Sequence, residues 1–334
     1  MTARTRLVRR GLLAAALGPL LPRLPRAQVA PAASPAPAAA APLRLIVPFT
    51  PGTGIDLIAR TVGPRLAERL GRPVVVDNRP GASGNLGTEA VVRAAPDGGT
   101  LLVTVNTLVM NRALYPKLGF DVLKDLEPVS LTSWGQLLLV AHPGSGIGDA
   151  RALVEQARAR PGALNYASPG NGTPHHLAME LLKAQSKVFI THIPYRGTAP
   201  ALTDLLSGQV QLAFMPIHLA VQHVRAGKLV AIGISSERPH PLLPEVPPLR
   251  TLGLGALEVD MWYGVLAPAG TPRAFVERLN AELKAILALP DVKTAFETQG
   301  MSPATSSPEE FRRLLAADAE RWARVVREQG IVAD

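Results

Sequence analysis

Residues 43–60 read LRLIVPFTPGTGIDLIAR, and this stretch decides the fold class. Its first part, LRLIVPF over 43–49, is a short apolar run of the kind that forms a strand buried on both faces. Thr50-Pro51-Gly52-Thr53-Gly54 then supplies a turn, and Asp56 opens a helix over 56–70 with Ile58, Val62, Leu66 and Leu70 at four-residue spacing. A strand that passes through a Gly-rich turn straight into a helix is the building unit of a parallel α/β sheet.

The alternation continues outward. Strands are predicted over 74–76, 101–105 and 137–141, with a helix over 89–93. A second unit starts with a helix over 149–160 capped by Asp149. It continues with strands over 164–167, 188–193, 210–214 and 229–235 and helices over 175–184, 199–207 and 219–226. A strand over 259–266 leads out of this unit, and helices over 272–287, 291–299 and 308–329 finish the chain, the last opened by Ser307-Pro308. The layout predicts two α/β lobes with the middle one inserted: residues 43–142 plus 265–334, and residues 143–264. Two crossings, near 142 and 264, make a hinge, and a cleft between hinged lobes is a natural ligand site.

The chain has 334 residues, 47% of them apolar and 4% aromatic, enough for two ordinary α/β lobes. Its formal charge of +9 is misleading. Six arginines (4, 6, 9, 10, 23 and 26) and no acidic residue fall within 1–41, which leaves +3 for the remainder. That balance, without a Lys/Arg run, gives no footprint for nucleic acid. Cysteine is absent, so disulfides, thiolate metal sites and Cys nucleophiles are excluded. There is no G-x-S-x-G, no H-E-x-x-H and no P-loop, and Leu57 stands where a dinucleotide loop would need its third Gly, so the reading is of a non-enzyme without cofactor.

Residues 1–41 read as a secretory signal followed by an Ala/Pro-rich tether. Arg4, Arg6, Arg9 and Arg10 form the basic region, and residues 11–21 form an apolar core too short to span a bilayer. Arg9-Arg10-Gly11-Leu12-Leu13 resembles a twin-arginine signal, and an ordinary secretory signal that carries Arg-Arg fits as well. Export to the periplasm is expected by either route.

Two loops join a strand to a helix with an excess of small residues. The first is residues 50–56, TPGTGID; the second is residues 168–176, SPGNGTPHH. Such loops bring backbone N–H groups and the positive end of a helix dipole to an anion. Each also reads as a plain tight turn, with Asp56 as an ordinary N-cap in the first. His175 and His176 are adjacent, and on a helix they point about 100° apart, so they do not share a metal. A third stretch, Pro194-Tyr195-Arg196-Gly197-Thr198, places a Tyr and an Arg where they either hold an anion or solvate a rim.

At these loops the chain resembles the substrate-binding proteins of tripartite tricarboxylate transporters, the Bug-type receptors. The resemblance covers about residues 43–332 and rests on IVPFTPGTGIDLIAR, VVVDNRPGASGNLGTEAV, AAPDGGTLLV, ALYPKLGFDVLKDLEPVSL, YASPGNGTPHHLAMELL, HIPYRGTAPALTDLLSGQVQLAF, RAGKLVAIGISS and GVLAPAGTP. It implies a periplasmic-binding-protein fold of type II, a ligand held by a carboxylate between the two loops, and membrane permease subunits as partners. It selects Pro51, Gly52, Thr53 and Asp56 in the first loop and Ser168, Gly170, Asn171, Gly172, Thr173 and His176 in the second, together with Tyr195, Arg196 and Gly197. Two positions depart from the family: Thr53 stands where Gly is common, and Met215 stands where Asp is common. A Met215 facing the cleft would make the pocket more apolar. The expected function is capture of a small organic carboxylate by lobe closure for a membrane transporter; a periplasmic sensor built on the same binding site is the alternative.

The leader yields the first prediction. The mature protein is expected in the periplasm with its N-terminus between about residues 28 and 43. N-terminal sequencing of the protein from a periplasmic fraction checks this, and full-length protein found solely in the cytoplasm would refute it.

Overall fold

The computed structural model describes residues 41–115, 117–254, 257 and 259–332; the predicted signal and nearly all of the tether lie outside the described residues. Leu43, Leu45, Ile46 and Val47 are buried along β1 (Leu43–Val47), as in a strand with both faces covered. The helix that follows, α1 (Gly54–Leu70), turns Ile55, Ile58, Val62 and Leu66 inward. It stops at Gly71, whose φ of 65° lets its N–H donate to Ala67 O. Next come β2 (Val74–Asn78), α2 (Asn85–Val92), β3 (Thr100–Val105), α3 (Thr107–Leu114) and β4 (Leu126–Gly135).

A second run begins with β5 (Leu137–Ala141) and α4 (Ala150–Ala159), whose cap Asp149 accepts from Ala152 N. It continues through β6 (Asn165–Ser168), α5 (Pro174–Ser186), β7 (Thr191–Pro194), α6 (Thr198–Leu206), β8 (Leu212–Pro216), α7 (Ile217–Arg225) and β9 (Val230–Ile234). The chain closes with β10 (Met261–Pro268), α8 (Arg273–Leu287), α9 (Pro290–Thr298), β11 (Met301–Pro303) and α10 (Pro308–Glu328).

Two sheets result. The first has the order β11-β4-β10-β3-β1-β2, with β1 parallel to β2 and β3, and β10 antiparallel to both β3 and β4. The second has the order β7-β6-β8-β5-β9, with β6 parallel to β7 and β8, and β5 antiparallel to β8 and β9. Among the described residues no helix is long and apolar enough to cross a membrane.

The chain changes sheets at places other than those expected. It leaves the first sheet at Gln136, between β4 and β5, rather than near residue 142, and it re-enters at Met261 rather than near 264. Residues 137–141, assigned from sequence to the first lobe, therefore pair inside the second sheet, and residues 261–264 pair inside the first. The cause is visible in the residues: β4 and β5 are separated by Gln136 alone, so no turn chemistry marks the switch. The two crossings lie side by side. Ser235 N donates to Leu137 O at 2.8 Å and Leu137 N donates to Ser235 Oγ at 3.0 Å. Asn106 Nδ2 donates to Asp260 O at 2.9 Å.

Helix α10 pins the first sheet from outside. Its N-terminus carries a capping box, with Glu310 N donating to Ser307 Oγ and Ser307 N donating to Glu310. Its inner face buries Phe311, Leu315, Ala319 and Trp322. The Phe311 ring meets Trp262 of β10 edge-on at 5.3 Å, and Trp262 Nε1 donates to Asp318 Oδ2 at 2.8 Å. Asp318→Ala leaves a buried indole N–H without an acceptor and is expected to cost about 1–3 kcal/mol in urea unfolding. Asp318→Asn keeps an acceptor and should cost less; equal losses in the two variants would refute this role.

Candidate functional site

Five helices begin at one small cavity between the two sheets. Thr53, Gly54 and Ile55 reach it from the start of α1, and Thr107 from α3. From the second sheet come Thr173, Pro174 and His175 at α5, Thr198 at α6, and His218 and Leu219 at α7. Phe49, Val105, Pro169, Pro216, Met261 and Tyr263 complete the wall, and none of the lining residues is Lys, Arg, Asp or Glu. The cavity measures about 40 Å³, room for about three water-sized atoms. The helices α1, α3, α6 and α7 have no side-chain cap, so their own side chains leave the first-turn N–H groups unanswered. Five positive dipole ends and uncapped N–H groups at a cavity without a charged side chain are an arrangement suited to an anion.

The two Gly-rich loops build this site from behind. Asp56 is buried, and its carboxylate accepts from Gly52 N at 2.9 Å, Arg60 Nε at 3.0 Å and Asn78 Nδ2 at 2.9 Å. Burial pushes the Asp56 carboxyl up, but Arg60, the Gly52 N–H and Asn78 outweigh it and hold it below its usual range. The Gly52 N–H is thus taken, and Pro51 and Gly52 are exposed. In the second loop Gly170 N donates to Ser168 Oγ at 3.1 Å and Gly172 N to His176 Nδ1 at 3.2 Å. The Thr173 hydroxyl accepts from His176 N and donates to Gly170 O. Of the backbone N–H groups expected from this loop, those of Gly170 and Gly172 are used internally, and the uncapped donors sit at the helix starts.

Two other expected residues lie away from the cavity. His176 is buried on the opposite side, stacked at 4.4 Å on His192, beside a hollow lined by Glu180, Lys183 and Phe189. Met215 is fully buried in an apolar cluster with Leu138, Val140 and Ala213, so it does not make the cleft more apolar. Strand alternation explains this: the chain turns Pro216, not Met215, toward the cavity.

A larger hollow of about 490 Å³ lies outside the cavity and shares Phe49 and Pro169 with it. Gly170, Tyr195, Arg196 and Gly197 line it from one side, and Thr50 with Gly81, Ala82 and Ser83 from the other. Arg196 is exposed, and Tyr195 Oη donates to Asp204 Oδ2 at 2.7 Å. Here the two halves touch. A Cβ added at Gly170 would lie 2.9 Å from Ser83 Oγ, one at Gly197 2.9 Å from Thr50 Oγ1, and one at Gly172 2.5 Å from Asn111 Oδ1. Asn171 O accepts from Tyr115 Oη at 3.5 Å. The cleft is closed, and glycines make the closure possible.

Sequence reasoning missed several cavity residues. His175, His218, Thr107 and Tyr263 line it, and the segment 81–84 (GASG), with Ala82 and Ser83 at φ of 45° and 51°, lines the larger hollow outside it. The GASG run after a strand was a legible signal; His218 and Tyr263 carried none, because the fold alone brings them there. Among the described residues, neither ring nitrogen of His175, nor Nε2 of His218, nor Oγ1 of Thr107 has a hydrogen-bond partner. Burial, and then the neighbouring His218, push His175 down to about 3. Burial pushes His218 down to about 4. Burial likewise pushes the Tyr263 hydroxyl up, and its oxygen lies 3.7 Å from Met261 Sδ. The ring backs the start of α1, where a Cβ added at Gly54 would lie 2.9 Å from its oxygen.

Comparison with known proteins accords with this architecture. Residues 58–331 match the model of the tripartite tricarboxylate transporter family receptor, and the chain belongs to that family. It is 37% identical to the protein BugT of Bordetella pertussis, over 87% of this chain and 90% of that one. An R. palustris structure, Rpa4515 with adipate, superposes with a TM-score of 0.83 at 32% identity, covering 87% of this chain and 97% of the other. MatC of Rhodopseudomonas palustris with bound malate superposes with a TM-score of 0.80 at 34% identity, covering 85% and 98%. The chain is thus a solute receptor with the two-lobe fold of periplasmic binding proteins.

The buried histidines make stability pH-dependent. His175 titrates at about 3 in the folded chain and at about 6.5 when unfolded, so between these values the unfolded chain binds more protons. Stability is full above about pH 6.5 and falls on acidification, by about 1.4 kcal/mol per pH unit for each such histidine. Urea unfolding of the ligand-free protein between pH 4 and 7 should show a shallower slope in His175→Leu; an unchanged slope would refute the assignment.

Proposed function

We propose that this receptor captures a small organic carboxylate between its lobes and delivers it, chemically unchanged, to the membrane subunits of a tripartite tricarboxylate-type transporter. The observation that carries the reading is the meeting of five helix N-termini at a small cavity lined by no cation. A carboxylate there accepts hydrogen bonds from first-turn N–H groups, directly or through water, and meets the positive ends of the helix dipoles. That related receptors were solved with adipate and malate supports the ligand class. Residues 1–41 act as the export signal and tether that bring the receptor to the periplasm.

Each expected site residue then takes a distinct role. Thr53 lies at the cavity, and Thr173 both lines it and caps α5. Gly52, Asp56, Ser168 and His176 hold the loops in shape. Gly170, Gly172 and Gly197 let the lobes meet. Pro51 turns the chain into α1, and Asn171 faces α3 across the cleft. Tyr195 and Arg196 border the mouth.

Binding should therefore depend on backbone access and closure more than on side-chain charge. In calorimetric titration with the best acid from a thermal-shift screen, Gly54→Val and Gly170→Val should each weaken binding by about tenfold or more, a loss of about 1.4 kcal/mol. At Gly54 the side chain meets Tyr263; at Gly170 it meets Ser83 in a backbone conformation, φ 138°, that disfavours it. Arg196→Ala should change affinity little, and the methyl ester should bind far more weakly than the acid. If Arg196→Ala abolishes binding while both glycine variants bind normally, or if ester and acid bind alike, the proposal is wrong.

A further inference from the structure

We infer that the small cavity seats the carboxylate head of the solute and no more, that the side chains of His175, His218 and Thr107 donate hydrogen bonds to that head, and that they thereby select a planar carboxylate over a tetrahedral sulfonate or phosphonate on the same carbon skeleton. The inference rests on the carboxylate reading above and deepens it by assigning the side chains that read the head group.

His175 is 7% exposed and lines the cavity, and among the described residues neither of its ring nitrogens has a partner. His218 Nε2 and Thr107 Oγ1, at the same cavity, are also without one. A buried polar atom without a partner costs free energy, so three such side chains around one cavity point to a group that they receive together. Burial keeps both imidazoles neutral, so each brings one N–H, and the threonine hydroxyl brings one O–H. A carboxylate accepts at about four lone-pair sites. The three side chains answer most of them, and a first-turn N–H of the helices that begin here answers the remainder.

Size supplies the other half of the selection. The cavity of about 40 Å³ has room for about three water-sized atoms, and the carbon and two oxygens of a carboxylate fill it. A sulfonate or phosphonate brings a further oxygen and a larger central atom. That oxygen would press on Ile55, Val105 or Leu219, overpacking a wall that offers it no side-chain donor. The second charge of a phosphonate would also be buried where no Lys or Arg lines the wall. The carbon skeleton lies outside the cavity. The hollow of about 490 Å³ that shares Phe49 and Pro169 with it has room for that skeleton and for a second carboxylate at its far end. The head cavity therefore sets no condition on the far end and admits the heads of monoacids and diacids alike.

The test is calorimetric titration of the wild-type receptor with adipate, succinate, butyrate and benzoate, each beside the sulfonate and the phosphonate in which every carboxylate of that acid is replaced. For any skeleton that binds, the carboxylate should outbind both counterparts by roughly tenfold or more. His175→Leu and Thr107→Val should each weaken the tightest-binding acid roughly tenfold, whereas His175→Gln, which keeps an N–H, should stay within about threefold of the wild type. In histidine-labelled receptor the ring N–H signals of His175 and His218, assigned by their loss in His175→Leu and His218→Leu, should shift when that acid is added. A sulfonate or phosphonate that binds as tightly as its matched acid overturns the inference while the carboxylate reading stands. Full affinity in His175→Leu, His218→Leu and Thr107→Val also overturns it, by leaving the head to backbone N–H groups alone. Equal losses in His175→Gln and His175→Leu, with unmoved ring signals, overturn it by reducing His175 to a structural role. If neither these acids nor those of the thermal-shift screen bind, the carboxylate reading itself falls and the inference with it.

Discussion

Everything at the cleft follows from where helices start. In a parallel α/β sheet each strand delivers the chain to its C-terminal edge, and the next helix begins there with N–H groups that have no partner in its own turn. Here the connections are short: Asn106 alone separates β3 from α3, and β8 runs into α7 with nothing between. Such junctions leave the helix start almost no freedom, so the first-turn residues Thr107 and His218 are placed by the sheets. Two sheets facing each other at these edges concentrate positive dipole ends in one small volume. The charge preference of the site is thus a property of the backbone path, and side chains decide what else fits.

Closure depends on the absence of side chains. Gly170, Gly172 and Gly197 lie where the second lobe meets the first, and all three hold positive φ, at 138°, 77° and 115°. The facing atoms belong to Ser83, Asn111 and Thr50. A Cβ at these points would collide across the cleft and strain its own backbone, two costs with one cause. The loop motif therefore serves the meeting of the lobes at least as much as it serves ligand contact. The same holds for Asp56, whose carboxylate folds the first loop back onto α1 and never faces the cavity.

Much of this was legible in the residues. The apolar run at 43–49 and the four-residue spacing that follows located β1 and α1, because a strand buried on both faces and an amphipathic helix leave opposite signatures. Strand β4 was not legible. It carries Pro128, Ser130, Thr132 and Ser133, yet its residues are almost all buried between β10 and β11. Small polar side chains inside a sheet erase the hydropathy signal; Ser130 Oγ, for example, is satisfied by Leu131 O at 2.7 Å. The site divided in the same way. Loops 50–56 and 168–176 announce themselves by Gly and Pro, whereas Tyr263 and His218 sit in ordinary strand and helix sequence and become cavity residues through topology alone. Between His175 and His176, sequence had no means to choose; the roughly 100° between neighbours on a helix sends one to the cavity and the other to the stack on His192.

The position of Met215 shows how a side chain's partners outrank its identity. An acid at this point of β8 would be enclosed by the apolar side chains of Leu138, Val140, Ile217 and Val221. Desolvating a carboxylate there would be costly, and the longer, apolar thioether of Met215 fills the space without that cost. Met215 is therefore explained by the packing of the second sheet. The polarity of the cavity is set one turn of chain later, where α7 begins and His218 replaces the continuity of the apolar wall with a neutral, hydrogen-bonding ring. The first turns of the helices thus set both the polarity of the cavity wall and the positive dipole ends that face it.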